Sequence, residues 1–368
     1  MEVKGSEQLS EEVVDAGLCT LCGACAGGCP YRVSYKGRIV LLDNCTLSEG
    51  QCYQYCPRTY TDMDAISQKI FGVRLSDDEV GIVREIFLAR STDAEIHERG
   101  QDGGTVTTLL SVALAEGIID GAVVTEMSDD KRARGFVARN REELLQCAGN
   151  SYEPSPVLEA LNRIPKESQE KLAVVGLSCH VTALAKMKTN PPQNRVSIDN
   201  VKLVIGLFCG WSLANGFHRF LQENLDLSEV VKFDIPHHPG HTFDAYTKSG
   251  MKSFELDDIR QYINPACDYC WDMTSEFADI SVGSGRAAFK GWNTVIIRTE
   301  AGAELMDIVR KKGALETQPI PVESVDNLKR ASLNKKKRAL SSIIAKTGDK
   351  RNLLCLGISQ SLADKLLV

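Results

Sequence analysis

Aromatic residues make up only 6% of the 368-residue chain, and no uninterrupted apolar run approaches the ~20 residues of a membrane-spanning helix. Residues 1–17, MEVKGSEQLSEEVVDAG, are acidic and contain no apolar segment of the secretory type. Neither a G-x-G-x-x-G fingerprint nor a Walker A loop occurs, which counts against a standard Rossmann or P-loop site. A basic excess is missing as well. The 43 Lys and Arg face 49 Asp and Glu, for a net charge of -6, which disfavours a protein that coats nucleic acid or anionic membrane. With 43% hydrophobic and 25% charged residues, wholesale disorder is excluded. The expectation is a cytoplasmic protein of two or three domains, not integral to a membrane.

What the chain does have is cysteine: thirteen, seven of them between Cys19 and Cys56. Without a secretory signal, metal ligation explains them better than disulfides do. Cys19-Thr-Leu-Cys22-Gly-Ala-Cys25-Ala-Gly-Gly-Cys29-Pro30 has the C-x2-C-x2-C-x3-C-P spacing of bacterial [4Fe–4S] ferredoxins, where a tight turn presents three thiolates and the fourth cysteine serves a neighbouring cluster. Zinc also uses C-x2-C pairs, but four cysteines in so short a span, closed by Pro30, favour iron–sulfur. The second half-motif is irregular: Cys45, Cys52 and Cys56-Pro57 keep the C-x3-C-P end and lack the middle cysteine. Exchange of the fourth ligands then assigns Cys19, Cys22, Cys25 and Cys56 to one cluster. Cys29, Cys45 and Cys52 form a second set one thiolate short, either completed by an oxygen of Asp43, Ser48 or Glu49 or holding [3Fe–4S].

Further on, KLAVVGLSC and VKLVIGLFCGW each read as a buried strand ending in Gly-x-x-Cys, followed by the helical stretches VTALAKMK and SLANGFHRFLQENL. TVTTLLSVALAEGIID reads as a helix and GAVVTEM as a strand. ADISVGSG and GWNTVIIRTE are two more strands, and AGAELMDIVRKKGAL another helix. Residues 230–265, rich in Pro, His and Gly, read as β-structure and loops. Cys179 and Cys209 follow their strands, where α/β sheets place sites. With the third pair, Cys267-Asp-Tyr-Cys270, they are able to build a four-thiolate site, or they are lone buried cysteines. Cys147 and Cys355 lack such context and are expected to be unliganded. The turn Gln101-Asp102-Gly103-Gly104-Thr105-Val106-Thr107 feeds a helix start that suits a phosphate. The basic run LNKKKR is expected to be one solvated helix face.

In chain order, QDGGTVTTLL, GNSYEPSPVLEAL, VVGLSCHVTAL, GLFCGW, CDYCWDMTSEFADISVGSG and GWNTVIIRTEAG resemble the family of coenzyme F420 hydrogenase/dehydrogenase beta subunits. The cysteine-rich front end resembles members carrying their own ferredoxin-like domain, such as the F420H2-oxidising subunit of F420H2 dehydrogenase. The resemblance implies a flavoprotein with FAD and a [4Fe–4S] cluster in its core. Hydride would pass between FAD and coenzyme F420, and single electrons would pass through two or three clusters to or from a ferredoxin or larger redox complex. It implies that Cys179, Cys209, Cys267 and Cys270 share one cluster. It also places Gly103, Gly104, Thr105, Val106 and Thr107 at FAD phosphate or ribityl groups, Ser151, Tyr152 and Ser155 along the FAD site, and Asp279, Ser281, Gly283 and Gly285 near flavin or deazaflavin.

His180 stands where Gln is expected, and has three readings: a donor to flavin, a donor to cluster sulfur, or a cap of the following helix. The segment Ile235 to Gly240 with His241 reads as a substrate-entry loop in preference to a metal site. Arg286, Lys290 and Arg298 are candidate contacts for the anionic coenzyme. The fold expected is mixed α/β: a ferredoxin-like domain over 1–75, an FAD- and cluster-binding core with a mixed sheet and flanking helices over 76–320, and a helical extension over 321–368. Two other readings stay open: the same architecture reducing another organic substrate with ferredoxin electrons, and a cluster-only electron-transfer subunit. A zinc-dependent nucleic-acid binder is disfavoured by charge and spacing.

Overall fold

The computed structural model describes residues 4–192, 198–236 and 239–367; His237 and His238 of the His-rich segment lie outside them. The cysteine-rich front end is built from short pieces because Gly, Pro and ligand turns leave little room for longer ones. Helix α1 (Ser6–Leu9) runs into a wide turn over Ser10–Val14. Strands β1 (Arg32–Tyr35) and β2 (Arg38–Leu41) form a hairpin on Lys36-Gly37, both at positive φ. Helix α2 (Gln51–Gln54), strand β3 (Thr61–Asp62) and helix α3 (Met63–Phe71) follow. Asp62 caps α3 through the N–H of Ala65 at 2.9 Å, and Gly72 ends it in the left-handed region.

The rest of the chain builds a mixed sheet of eight strands: β4 (Glu85–Ser91), β5 (Gly121–Met127), β6 (Ala133–Ala138), β7 (Leu172–Leu177), β8 (Val201–Leu207), and later β12 (Ile280–Ser284), β13 (Asn293–Ile297) and β14 (Leu315–Pro319). Between them run α4 (Ala94–Arg99), α5 (Thr105–Ala115), α6 (Arg141–Gln146), α7 (Val157–Asn162), α8 (Ser178–Thr189) and α9 (Asn215–Asn224). A small antiparallel sheet of β9 (Val230–Asp234), β10 (Thr242–Thr247) and β11 (Gly250–Glu255), with α10 (Leu256–Arg260), projects from it. The chain finishes with α11 (Glu300–Lys311), α12 (Val322–Thr347), β15 (Leu356–Gly357) and α13 (Gln360–Leu367).

The order across the large sheet is β14-β4-β13-β12-β8-β7-β5-β6. Its central strands β12, β8, β7 and β5 are parallel, and the margins are antiparallel. Central strands such as Leu172–Leu177, buried on both faces, read as continuous apolar runs for this reason. The mixed α/β expectation is therefore met. The expected divisions at 75 and 320 fall between elements, yet one apolar cluster unites all three parts: Cys22, Tyr55 and Ile66 pack with Leu158, Val181 and Leu184, and with Leu340, Leu353 and Leu366.

The basic run departs from expectation. Lys335 and Lys336 are only 5% and 2% exposed. Helix α12 buries a stripe of Leu328, Ser332, Ala339, Leu340 and Ile343 at helical spacing, and both lysines fall on that stripe.

Candidate metal centres and flavin site

The parallel pairing of β7 with β8 sets Gly176 opposite Gly206 and Leu177 opposite Leu207. Both chains leave the sheet at the same level, so Cys179 and Cys209 emerge as neighbours, each two residues past a paired leucine. The segment before β12 then folds over them. Gly206 makes this possible, since a Cβ there would overlap that of Ser275. Ser275, at positive φ, bonds the Leu207 carbonyl at 2.8 Å, and the Cys209 N–H donates to the Met273 carbonyl at 2.8 Å. Cys267 sits in a short turn started by Pro265, its sulfur accepting the Ser212 N–H at 3.3 Å. Thus Cys179, Cys209, Cys267 and Cys270 lie within electrostatic reach of one another: Cys270 and Cys209 act on Cys179, and Cys267 and Cys270 act on Cys209.

Burial pushes the Cys179 thiol well up and that of Cys209 up to about 12. A thiolate in such a place needs a cationic partner, which cluster iron would supply if bound. Two buried cations that the sequence reading missed stand beside this set. Lys335 donates to the Cys209 carbonyl at 2.6 Å, and Arg58 donates to the carbonyls of Ala266 at 3.0 Å and Tyr269 at 3.2 Å. Burial alone would raise the Cys270 thiol, but Lys335 and Arg58 overcome it and hold that thiol below its ordinary value.

In the front end, Cys22 feels Cys56, Cys25 and Cys19, and a small cavity is walled by these four with Leu9 and Ile39. Cys52 feels Cys29 and Cys45, the second set. Arg32, 1% exposed and bonded to the Ser6 and Ser10 hydroxyls at 2.9 and 2.7 Å, is a buried positive charge that acts on Cys25 of the first set and on Cys52 of the second. All thirteen cysteines are free thiols. Among the described residues no three His, Cys, Asp or Glu are drawn in to the spacing of a single-ion site. A cubane, which spreads four thiolates over separate irons, asks for a wider arrangement. The four-cysteine sets fit such a group.

The helix start expected to take a phosphate begins at Gly104, φ +68, with no side-chain cap. Gly103 lies against the Ala89 carbonyl and Asn293, where a Cβ would stand 2.7 Å from either. Asn293, another residue missed in sequence, accepts the Thr105 N–H and donates to the Gly283 carbonyl, both at 3.2 Å, joining α5 to β12. Thr105 is buried and bonds the Ala89 carbonyl at 3.3 Å; Val106 and Thr107 are half-buried on the same turn. Tyr152 accepts the Ile235 N–H at 3.0 Å and packs edge-on against Phe243. Ser151 bonds the Glu153 carbonyl at 3.0 Å. The buried Ser155 Oγ and Gln101 Oε1 lack a hydrogen-bond partner within the protein, as a polar ligand would require. These two orphaned atoms, beside the α5 start and in the 151–155 loop, could hold polar groups of a flavin nucleotide.

Other expected residues are occupied internally. Asp279 accepts the Val204 N–H and the Thr299 hydroxyl, each at 2.7 Å. Ser281 donates to the Ser275 carbonyl and receives Arg298, which also bonds the Val80, Ile82 and Thr274 carbonyls; Arg298 is a buried strut and does not face a coenzyme. Arg286 and Lys290 are exposed. Gly283 and Gly285 serve close packing rather than positive φ: a Cβ at Gly283 would overlap the Phe208 ring, and one at Gly285 would stand 2.7 Å from the Phe289 and Trp292 carbonyls. His180 caps α8, its Nδ1 accepting the Leu177 N–H at 3.0 Å while Nε2–H donates to the Ser155 carbonyl at 2.7 Å. Of its three readings, the cap is the one with hydrogen bonds. Cys355 is buried in the shared core and Cys147 lies apart at the end of α6. His241 pairs with Asp257 at 3.2 Å. A cavity of about 530 Å³ opens between the front end and the core beside Cys19, Arg38, Arg132 and Asn215.

Residues 86–162 match the N-terminal part, and residues 169–323 the C-terminal part, of the coenzyme F420 hydrogenase/dehydrogenase beta subunit. The chain is 35% identical to the coenzyme F420 hydrogenase subunit beta of Methanothermobacter thermautotrophicus, over 73% of this chain and 96% of that protein. It is 31% identical to a subunit of the F(420)H(2) dehydrogenase of Methanosarcina mazei, over 84% of this chain and 87% of that one. It is 30% identical to the coenzyme F420-dependent sulfite reductase of Methanocaldococcus jannaschii over 89% of this chain, and spans only about half (51%) of that protein. A chain of the F420-reducing [NiFe] hydrogenase complex from Methanosarcina barkeri superposes with a TM-score of 0.68 at 30% identity, covering 73% of this chain and 94% of that one. The chain belongs to the family of coenzyme F420 hydrogenase/dehydrogenase beta subunits.

Proposed function

We propose that the chain is an F420-linked oxidoreductase subunit, exchanging hydride with coenzyme F420 at an FAD site and passing electrons singly through [4Fe–4S] clusters to or from a partner in a larger redox complex. FAD, when bound, would supply the conversion between two-electron and one-electron transfer. The residues at the α5 start and the 151–155 loop would hold its polar groups, and the eight-stranded sheet would fix them against the strand-end cysteines.

One observation carries the reading. Arg58, two residues past Cys56, bonds the carbonyls of Ala266 at 3.0 Å and Tyr269 at 3.2 Å, beside Cys267 and Cys270, and Cys52 packs in one apolar cluster with Cys19, Cys25 and Cys56. On this reading the core set, the first front-end set and the second front-end set would be consecutive neighbours, as a wire leading from the sheet requires. The family resemblance to F420 enzymes supports the donor, and the relatives' assembly into a hydrogenase complex supports a protein partner. The fourth ligand of the Cys29, Cys45 and Cys52 set is proposed to be a carboxylate or hydroxyl of the 43–49 segment.

The test is to mix anaerobically purified, cofactor-replete protein with reduced coenzyme F420 and follow flavin and cluster bleaching. Rapid bleaching of both supports the reading. No reaction, with flavin and iron present, would move the substrate to another organic molecule and leave the wire in place.

A further inference from the structure

Two adjacent lysines of α12 are buried, and they are not in the same electrical situation. Lys336 forms an ion pair with buried Glu276 and lies 4.0 Å from the Trp271 ring centroid. Its charge is neutralised locally. The hydrogen bond of Lys335 goes instead to a neutral group, the Cys209 carbonyl at 2.6 Å, and the charges that act on it most are the sulfurs of Cys270 and Cys209, then Asp272 and Cys267. A buried ammonium tolerates such a position when the negative charge it faces is the site itself.

We infer that Lys335 sets the reduction potential of the four-cysteine site, holding it above the value that the cysteine cage and the sheet alone would give. The inference rests on the reading that Cys179, Cys209, Cys267 and Cys270 hold a [4Fe–4S] cluster. Reduction adds one electron to a site whose cysteines are buried or half-buried, with no proton or ligand exchanged. A fixed cation beside the site stabilises the extra negative charge, and burial strengthens the effect. Arg58 contributes from the front end, acting on Cys270 by its charge and by a hydrogen bond while it also bonds the Ala266 and Tyr269 carbonyls, so Lys335 is one of two cations at this site and the one that reaches Cys209. Lys335 also lies beyond residue 323, where the match to the family ends. The cation is therefore brought by the C-terminal helix, and the potential of a core site is placed under the control of a segment outside the family's matched region.

The test uses the full chain, purified anaerobically, with iron counted and the clusters followed by EPR redox titration. Cys267→Ser identifies the signal of this site by removing it. Lys335→Gln and Lys335→Met are expected to shift its one-electron equilibrium roughly tenfold toward the oxidised form, about 59 mV more negative. Lys335→Arg and the neighbouring Lys337→Gln should stay within error of the native chain. An unchanged potential in both neutral variants with the cluster present overturns the inference, as does an equal shift in Lys337→Gln. Loss of iron from both neutral variants also overturns it, because the charge would then be needed for assembly. If the native chain shows no signal that Cys267→Ser removes, the four-cysteine reading itself is wrong.

Discussion

The Lys186 ammonium, carried by α8, donates to the Cys56 carbonyl at 2.7 Å across 130 residues of sequence. It also bonds the Thr59 hydroxyl at 2.9 Å and the Tyr60 carbonyl at 2.8 Å. One buried cation thus organises the turn that follows the C-x3-C-P half-motif and anchors it to the core. Replacement by Met would leave several buried acceptors unsatisfied, a cost of about 2–4 kcal/mol. Lys186→Met is expected to lower the denaturation midpoint accordingly and to release iron from the front end before the core, measured by chelator competition.

Cys267→Ser should remove one cluster's iron and its EPR signal while FAD stays bound, because Cys267 lies in a turn distinct from the α5 start. Dye reduction that depends on the clusters should be lost. Continued electron exit in this variant would mean that the wire takes another course.

Asn293 joins α5 to β12 through two hydrogen bonds of 3.2 Å. Asn293→Ala is expected to weaken FAD retention roughly tenfold, the equivalent of one or two hydrogen bonds, with iron content unchanged. Fluorescence of released flavin at equilibrium reads this directly, and full retention would remove the α5 start from the flavin site.

Glu276 and Lys336 are buried together. Removing one partner strands the other, so Glu276→Ala should cost about 3–5 kcal/mol, whereas the double change to Met should come close to neutral. Burial raises the Glu276 carboxyl and outweighs the lowering by Lys336. The folded state therefore binds this proton more tightly than the unfolded chain. The associated stability is complete below the ordinary carboxyl value and fades as pH rises through the raised one. The difference in denaturation free energy between native and Glu276→Gln, taken across pH, should show that slope.

Much of the molecule can be read from residue order because its signals are local. The ferredoxin spacing at Cys19–Pro30 is a turn geometry written in one short stretch, and LAVVGL and VKLVIGL announce buried strands by their unbroken apolar runs. Strand β6, ARGFVA, escapes such a reading: it is an edge strand with a half-exposed, mixed pattern, and its pairing with β5 decides its conformation. The site cations are illegible for a different reason. Arg58 and Lys335 gain their roles from what packs on them from far along the chain, and LNKKKR has the composition of a solvated face. Asp279, Ser281 and His180 have the right chemistry for a ligand, yet groups of β7, β8 and the loops beside them claim their polar atoms first.

Strand β15 lies parallel to β3, pairing Leu356 with Thr61 and Gly357 with Asp62. Leu353, Leu356 and Leu366 close the apolar cluster that holds Tyr55, Met63 and Ile66. The seven cysteines of the front end therefore sit on a scaffold finished by residues translated long after them. During synthesis these thiols emerge before the residues that close their scaffold, which is complete only with the segment through Leu366. If these thiols hold clusters as proposed, stable loading of iron and sulfide into this part is expected to wait for that moment, and removal of residues 356–367 is expected to strike the front-end centres before those of the sheet.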